Sequence, residues 1–495
     1  MIDLLLIHGM VITMDEHRRV LQDGAVAVDK TRILEVGETE TLVKKYEAKR
    51  LLDCKGNIVL PGLINCHTHA GHNLMGKVST DSLGCWWPMV SNIYEHHSDY
   101  EFWKLDAQLS ACKFLKAGVT TAFHILGGNP MSDEPELARG HVDGYCEVGG
   151  RDVVGCGIVV GEFPHRYTRL QNGKWIKKLV TIDDMAAGTE EIIRQNHKKH
   201  EGRSRVCVTQ FLQLAEHGGC SDPLSLARLT ALDREVCKRT REIARKYHTM
   251  INTDTYGGWV KLASMDEENA LLGEDVLVGL EHQMGITPEE VGILARTGTK
   301  VYCTGEGFYK RSPLSEMLQK GITVAATTNG CAPRNMVDLL EAVRKLIFIE
   351  VTAHDDYHYL QAGKALEMIT IDAAKCLGWE DEIGSLEAGK KADIAILDWY
   401  DAHLTPQTTP VQKVIYFAVG ADFQTVIVDG KIVMEERKLT LVDEAAILRE
   451  AEAYHKELIQ KYGLQDLCND VTWGKIRIEF DPGHPICSRI ANQEG

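Results

Sequence analysis

Apolar and polar positions change rhythm along the chain. Over residues 1–59 they fall into short apolar runs, Leu4–Met14, Gly24–Val28, Ile33–Val36 and Ile58–Leu60, punctuated by Gly9, Gly24, Gly37 and Gly56. Such runs read as short strands joined by turns. From about 60 to 380, apolar runs of strand length alternate with stretches of helical period. The strand candidates are Val59–Ile64, Val119–Phe123, Val153–Val160, Val206–Leu212, Met250–Thr253, Val276–Leu280, Lys300–Cys303 and Thr323–Thr327. Helical patterns between them include Glu101–Lys116, Leu232–Tyr247, Thr287–Thr297 and Pro313–Lys320. Eight strand–helix units predict a parallel sheet closed into a (β/α)8 barrel.

Strand style returns near the end of the chain, in Asp393–Leu397 and in Thr425–Val433, the latter with Asp429-Gly430 at a hairpin turn. A strand-rich first segment needs a sheet to cover its apolar face, and these late strands are the natural cover. The expectation is one small β-sandwich domain built from both ends (1–59 and 381–440) around a barrel over 60–380. A tail, 441–495, carries an amphipathic helix from Asp443 to Tyr462, with Gly463 as its stop. Beyond it, Trp473, Ile476, Ile478, Phe480 and Pro482 are too apolar for a solvated end. They predict packing on the barrel or on a second copy, hence a homo-oligomer.

The 495 residues and 44% hydrophobic content allow a large core. No run of about 18 apolar residues appears and the start lacks a signal-peptide pattern, so a cytoplasmic protein is expected, with no membrane partner. The 14 cysteines contain no Cys-x-x-Cys pair, and several sit in apolar contexts such as Cys112, Cys207 and Cys376. They read as reduced, buried thiols. A formal net charge of −16 argues against a nucleic-acid partner.

Candidate chemistry centres on Asn65-Cys66-His67-Thr68-His69, where an apolar strand ends in two histidines spaced two apart. On a strand they share one face and offer two imidazoles to one divalent metal. The plain alternative is two polar residues on a solvated strand.

Four stretches resemble the amidohydrolase superfamily, in its branch of cytosolic deaminases and chlorohydrolases similar to guanine deaminase and atrazine chlorohydrolase. They are Gly9-Met10-Val11-Ile12-Thr13-Met14-Asp15, Val59 through His69, Ala117-Gly118-Val119-Thr120-Thr121, and Met368 through Ala374 continued by Ile383 through Asp393. The resemblance implies the barrel and the discontinuous sandwich, with a metal at the strand ends that activates water. In the family that metal is held by the first-strand histidine pair, a fifth-strand histidine and an eighth-strand aspartate, and a sixth-strand histidine assists.

His67 and His69 match the pair, and His282 matches the sixth-strand histidine. On the fifth strand Asn252 stands where the histidine is expected and Thr255 where a glutamate is usual. On the eighth, Thr328 is aligned with the aspartate. Three arrangements follow. A remodelled metal site (zinc or manganese) would use His67, His69 and His282 with Asp254 or Asn252, Asp254 sharing the face of Asn252 if the strand runs that far. A metal-free site would use histidines as general acid and base, helped by His124, His217 and Glu306 at strand ends. A non-catalytic relative would keep only the fold.

His124 could equally hydrogen-bond within the barrel, and Glu306 between two glycines could be a turn residue. Trp86 and Trp87 suggest an aromatic lid over a planar small-molecule substrate, or core packing of a helix. The expected reaction is addition of water to an sp2 carbon of a small cyclic substrate. C–N bond hydrolysis comes first, and C–C ring cleavage of a cyclic diketone is the alternative.

Overall fold

The structure, a computed structural model, describes residues 1–76, 90, 93–126, 131–158, 163–210, 231–256, 259–264, 271–305, 311–331, 338–465, 468 and 473–474. Eight parallel strands follow one another around a barrel: β1 (Leu63–His69), β2 (Val119–Ile125), β3 (Arg151–Cys156), β4 (Ser204–Thr209), β5 (Ile251–Tyr256), β6 (Val278–Met284), β7 (Lys300–Thr304) and β8 (Val324–Thr327). Across the seam between β8 and β1, the Asn65 amide donates to Thr328 Oγ1 at 2.8 Å, and the Thr328 backbone N–H donates to Asn65 Oδ1 at 3.2 Å. Helices α1 (Tyr100–Lys116) and α2 (Pro135–Val148) cover β2 and β3 from outside.

The lower lumen is solid. Ile64, Phe123, Val153, Cys207, Tyr302 and Ala325 pack against Ala373, Ala374, Cys376 and Trp379 from the segment that closes the barrel floor. Tyr302 Oη donates to the Cys376 carbonyl at 3.0 Å. Chemistry is therefore confined to the C-terminal ends of the strands, as in barrels generally.

The two chain ends form one nine-stranded sheet. Ile58–Pro61 pairs in parallel with Ile2–Ile12 and antiparallel with Ile394–Leu397, which joins the ends. The barrel's first strand thus starts at Leu63, later than the expected Val59, because Ile58–Pro61 belongs to this second sheet. Two apolar clusters, one around Leu4, Val26, Ile394 and Ile427 and one around Ile2, Leu5, Ala25 and Leu42, fill its two faces. The Asp429-Gly430 turn forms as expected, with both residues at positive φ (50° and 74°).

Sheet and barrel are joined by a buried ion cluster. Arg151, at the start of β3, donates to both oxygens of Asp393 at 2.9 Å and to Asp429 at 3.0 Å. A hairpin, His165–Gln171 with Lys174–Val180, interrupts the alternation between β3 and β4. Its sequence signal is Asn172-Gly173 at the turn; a reading organised around strand–helix alternation passes over it. No helix among the described residues is long and apolar enough to cross a membrane. The terminal helix spans Glu444–Lys461, and Trp473 beyond it is exposed. Ile476 to Pro482 lie outside the described residues.

Candidate functional site

A bulge aims the histidine pair. Between the pairs Asn65–Ala122 and Thr68–His124, β1 spends three residues where β2 spends two. The extra residue shifts the alternation, so that His67 and His69 follow Ile64 into the lumen while Thr68 turns outward. The His67 ring centre lies 4.9 Å from that of His69 and 5.4 Å from that of His282. His282 is held at φ 69° and the next residue, Gln283, at 49°. Two successive left-handed residues bend the end of β6, so that Glu281 and His282, neighbours in sequence, both reach His67.

Asp254 joins them. β5 runs to Tyr256, so Asp254 shares the face of Asn252, and its Oδ1 lies 3.9 Å from His282 Nε2. One donor atom from each of His67, Asp254 and His282 falls within a 4.8 Å cluster. The Asn329 Oδ1 at the end of β8 is 3.0 Å from His67 Nε2 and also accepts from the Gly330 N–H at 2.7 Å. On its other edge His67 presents Nδ1 to the Glu281 carboxylate at 2.7 Å. The Asn252 amide donates to that same carboxylate at 3.0 Å and to the Gly279 carbonyl at 3.1 Å.

Burial keeps the imidazoles neutral, pushing His67 down to about 4 and His69 and His282 to about 3. Neutral imidazole is the form that binds metal. Both carboxyls are raised by burial, Glu281 far above the ordinary range with Asp254 as a second cause, and Asp254 less because His67 and His69 oppose the shift. The two differ in access. Asp254 keeps 14% of its side chain exposed and Glu281 none, so of the two only Asp254 reaches the open side of the cluster.

The donor set fits a divalent cation. Asp254 Oδ1 and His69 Nδ1 are buried with no hydrogen-bond partner among the described residues, a condition that native structures rarely leave unmet. His67, His69, His282 and Asp254 are the residues that would hold the ion, with Asn329 Oδ1 beside them. Glu281 lies against the other edge of the His67 ring, 2.7 Å from its Nδ1, and would limit how the ring can turn.

The loop after His69 is anchored by Asp106 of α1. Its buried carboxylate accepts from the N–H groups of Gly71 (2.6 Å), Asn73 (2.8 Å) and Leu74 (2.9 Å) and from the Asn73 side chain (3.1 Å). In the segment so held, His72 stacks on His69 with ring centres 4.9 Å apart and planes 9° from parallel.

Some expected residues are not brought here. His124 points away from the lumen, because it sits on the outward register of β2 opposite Thr68, and it bonds to Ser110 and Asp152 behind the sheet. Thr328 does not stand where an eighth-strand aspartate would reach the metal. Its hydroxyl is taken up at the seam by Asn65 and the Asn329 carbonyl, and Asn329, one residue on, faces His67. Asn252 supports Glu281 with its amide nitrogen. Trp86, Trp87, His217 and Glu306 lie outside the described residues.

The sequence reading missed Glu281, Asn329 and Asp106. Glu281 had one signal, a carboxylate directly before His282 on an otherwise apolar strand. A separate cavity of about 740 Å3, lined by His197, Arg205, His248 and Leu377, opens at the opposite ends of the strands.

Comparison with known proteins agrees with this architecture. At 29% identity over 448 residues, the chain matches the 5-methylthioadenosine/S-adenosylhomocysteine deaminase of Desulforudis audaxviator, covering 88% of this chain and 95% of the relative. At 26% identity over 474 residues it matches the 5'-deoxyadenosine deaminase of Methanosarcina acetivorans, covering 93% and 99%. Among solved structures, an adenosine deaminase from Xanthomonas campestris with bound zinc superposes with a TM-score of 0.76 at 22% identity, covering 93% of this chain and 99% of that one. Atrazine chlorohydrolase from Arthrobacter aurescens, complexed with zinc, gives 0.72 at 21%, covering 91% and 100%. The model of the amidohydrolase family matches residues 58–433, which takes in the whole barrel and the late strands that close the second sheet. With that match over most of its length, the chain belongs to the amidohydrolase family and is a hydrolase.

Proposed function

We propose that this hydrolase adds water to an sp2 carbon of a small cyclic substrate and breaks a C–N bond, by deamination or by opening a cyclic amide. The observation that carries the reading is the position of Asp254. The eighth strand offers the neutral amide of Asn329, while a carboxylate enters the same donor cluster from β5, 3.9 Å from His282. The anionic oxygen that a hydrolytic site needs is thus present, on a different strand. The deaminase names of the sequence relatives support the C–N bond.

A divalent cation, which these residues would hold, would supply Lewis acidity and make water nucleophilic near neutral pH. The chain's own groups do the rest. The Asp254 carboxylate accepts the proton of the attacking water and returns it to the departing nitrogen. His282, one of the residues that would hold the ion, is kept neutral by burial and so is available as a ligand. Glu281, Asn252 and Asp106 orient without touching substrate.

A second reading is C–C ring cleavage of a cyclic 1,3-diketone. One observation favours it: Thr255, where the resemblance to this branch implies a glutamate, gives its hydroxyl to the Glu281 carbonyl at 2.8 Å and is fully buried. An amine leaving group must be protonated as it departs. When water adds to one carbonyl of a cyclic 1,3-diketone, the bond to the central carbon breaks and its electron pair is delocalised onto the second carbonyl as an enolate. That enolate can take up its proton after the bond has broken.

The deciding experiment incubates zinc-loaded and manganese-loaded protein with 6-aminopurine nucleosides, cyclic amides and cyclohexane-1,3-diones, reading ammonia release and ring-opened acid by mass spectrometry. Ammonia or a ring-opened amide supports the first reading. An oxo-acid from the diketone alone moves the assignment to the second, and no product from any class overturns both.

A further inference from the structure

We propose that a second cation, zinc by the chemistry of its donors, is held behind the barrel wall by His124, His141 and Asp152. His124 lies on the outer face of β2, His141 on the inner face of α2, and Asp152 on β3. One donor atom from each falls within a 4.8 Å cluster, and all three side chains are fully buried. The cluster is separate from the lumen, since β2 presents Ile125 alongside His69 but His124 alongside Thr68.

The distances suit an ion. His141 Nε2 is 3.6 Å from Asp152 Oδ2. Two ligands on a tetrahedral zinc, with bonds of about 2.0–2.2 Å, stand roughly 3.4 Å apart. His124 Nδ1 and Asp152 Oδ1 are 2.9 Å apart, a direct hydrogen bond that an ion would replace, and the ring centres of His124 and His141 are 4.7 Å apart. Ser110 Oγ lies 2.9 Å from His124 Nε2, the outer partner that engages one ring nitrogen and leaves Nδ1 facing the other donors.

Polar satisfaction is the second, independent observation. Both ring nitrogens of His141, Asp152 Oδ2 and the Tyr145 hydroxyl are buried with no hydrogen-bond partner among the described residues. An unmet buried polar atom costs about 1–3 kcal/mol; His141 Nε2 and Asp152 Oδ2 face each other at 3.6 Å, longer than a hydrogen bond, and an ion between them would satisfy both. The site is also sealed. Gly140 and Gly144 let α2 press on the backbone of α1, where an added Cβ would meet Tyr100 O at 2.5 Å and Lys104 O at 2.2 Å. Two imidazoles and a carboxylate favour zinc over the oxygen-preferring magnesium or calcium. A cation so enclosed has no route to substrate. Its effect is to tie α2 to β2 and β3, next to the Arg151 junction.

Two measurements test this. An anomalous difference map at the zinc edge, from crystals of the wild-type protein grown with zinc, is expected to show a peak bonded to His124, His141 and Asp152. In solution, the His67→Ala/Asp254→Ala protein, stripped of its lumen donors, is expected to keep one zinc per chain after gel filtration and to lose it when His141→Gln or Asp152→Asn is added. No peak at the cluster, or equal zinc content with and without the added substitution, overturns the proposal. If the triply substituted proteins fail to fold, the wild-type map decides alone.

Discussion

Asn329 Oδ1 lies 3.0 Å from His67 Nε2, so the last barrel strand presents a neutral amide to the nitrogen through which the first would bind metal. An amide oxygen is a weaker ligand for zinc than a carboxylate. The site compensates from β5, where Asp254 enters the same cluster.

Changing Asn329→Asp is therefore expected to tighten zinc binding, and Asn329→Ala to weaken it by about 10-fold, within the range typical of supporting metal-site residues. Competition against a chromophoric chelator reads both. Equal affinity in all three proteins would remove Asn329 from the metal's surroundings.

Glu281 holds the other edge of His67 at 2.7 Å and takes no part in substrate contact. Glu281→Gln keeps the shape but sets an amide against Nδ1. We expect a loss of about 10–100-fold in zinc affinity, with an unaltered far-UV spectrum. Calorimetric titration of zinc into apo-protein measures it, and unchanged affinity would mean that the contact orients nothing.

Asp106 satisfies three backbone donors of the loop that carries His72. Asp106→Ala leaves them buried without an acceptor, at about 1–3 kcal/mol for an unmet group. Urea unfolding should show a loss of at least that size, and Asp106→Asn, which keeps one oxygen, a smaller one. A loss below about 0.5 kcal/mol would mean that the loop finds other partners.

The junction of barrel and sheet sets the acid limit. Burial works to raise the Asp429 carboxyl, but Arg151 and Lys391 outweigh it and hold it below its usual 3.8. A depressed folded-state pKa means that this stabilisation is fully present above pH 3.8 and is lost as pH falls through the lower, folded value. Asp429→Asn should flatten the decline of unfolding free energy below pH 4 and lower stability at pH 7. An unchanged acid limb would assign acid unfolding elsewhere. Arg151→Met, which leaves the buried Asp393 without its cation while Asp429 keeps Lys391, is expected to cost about 3–5 kcal/mol.

Much of the fold was legible in the chain because its signals are local. Strand–helix alternation, the Asp429-Gly430 turn and the apolar end strands each depend on neighbours a few residues apart. His67, His69 and His282 were equally legible, as polar residues ending apolar strands, and so was Asp254, whose face follows from strand period once β5 is long enough. What went astray turned on a shift of one residue. Alternation cannot tell whether Thr328 or Asn329 faces the lumen, since the end of β8 is irregular; nor does it show that His124 faces outward, because a bulge in β1 sets its register relative to His67.

The sequence by itself determined the barrel, the second sheet from both chain ends and the histidines that face the lumen, because side-chain period and turn chemistry are properties of short segments. Only the tertiary structure decided that the last strand brings Asn329 to His67, that Glu281 lies beside His67, and that His124 packs with His141 and Asp152. Those partnerships join residues 11 to 262 positions apart, and their geometry depends on bulges and left-handed residues that shift strand register by single steps.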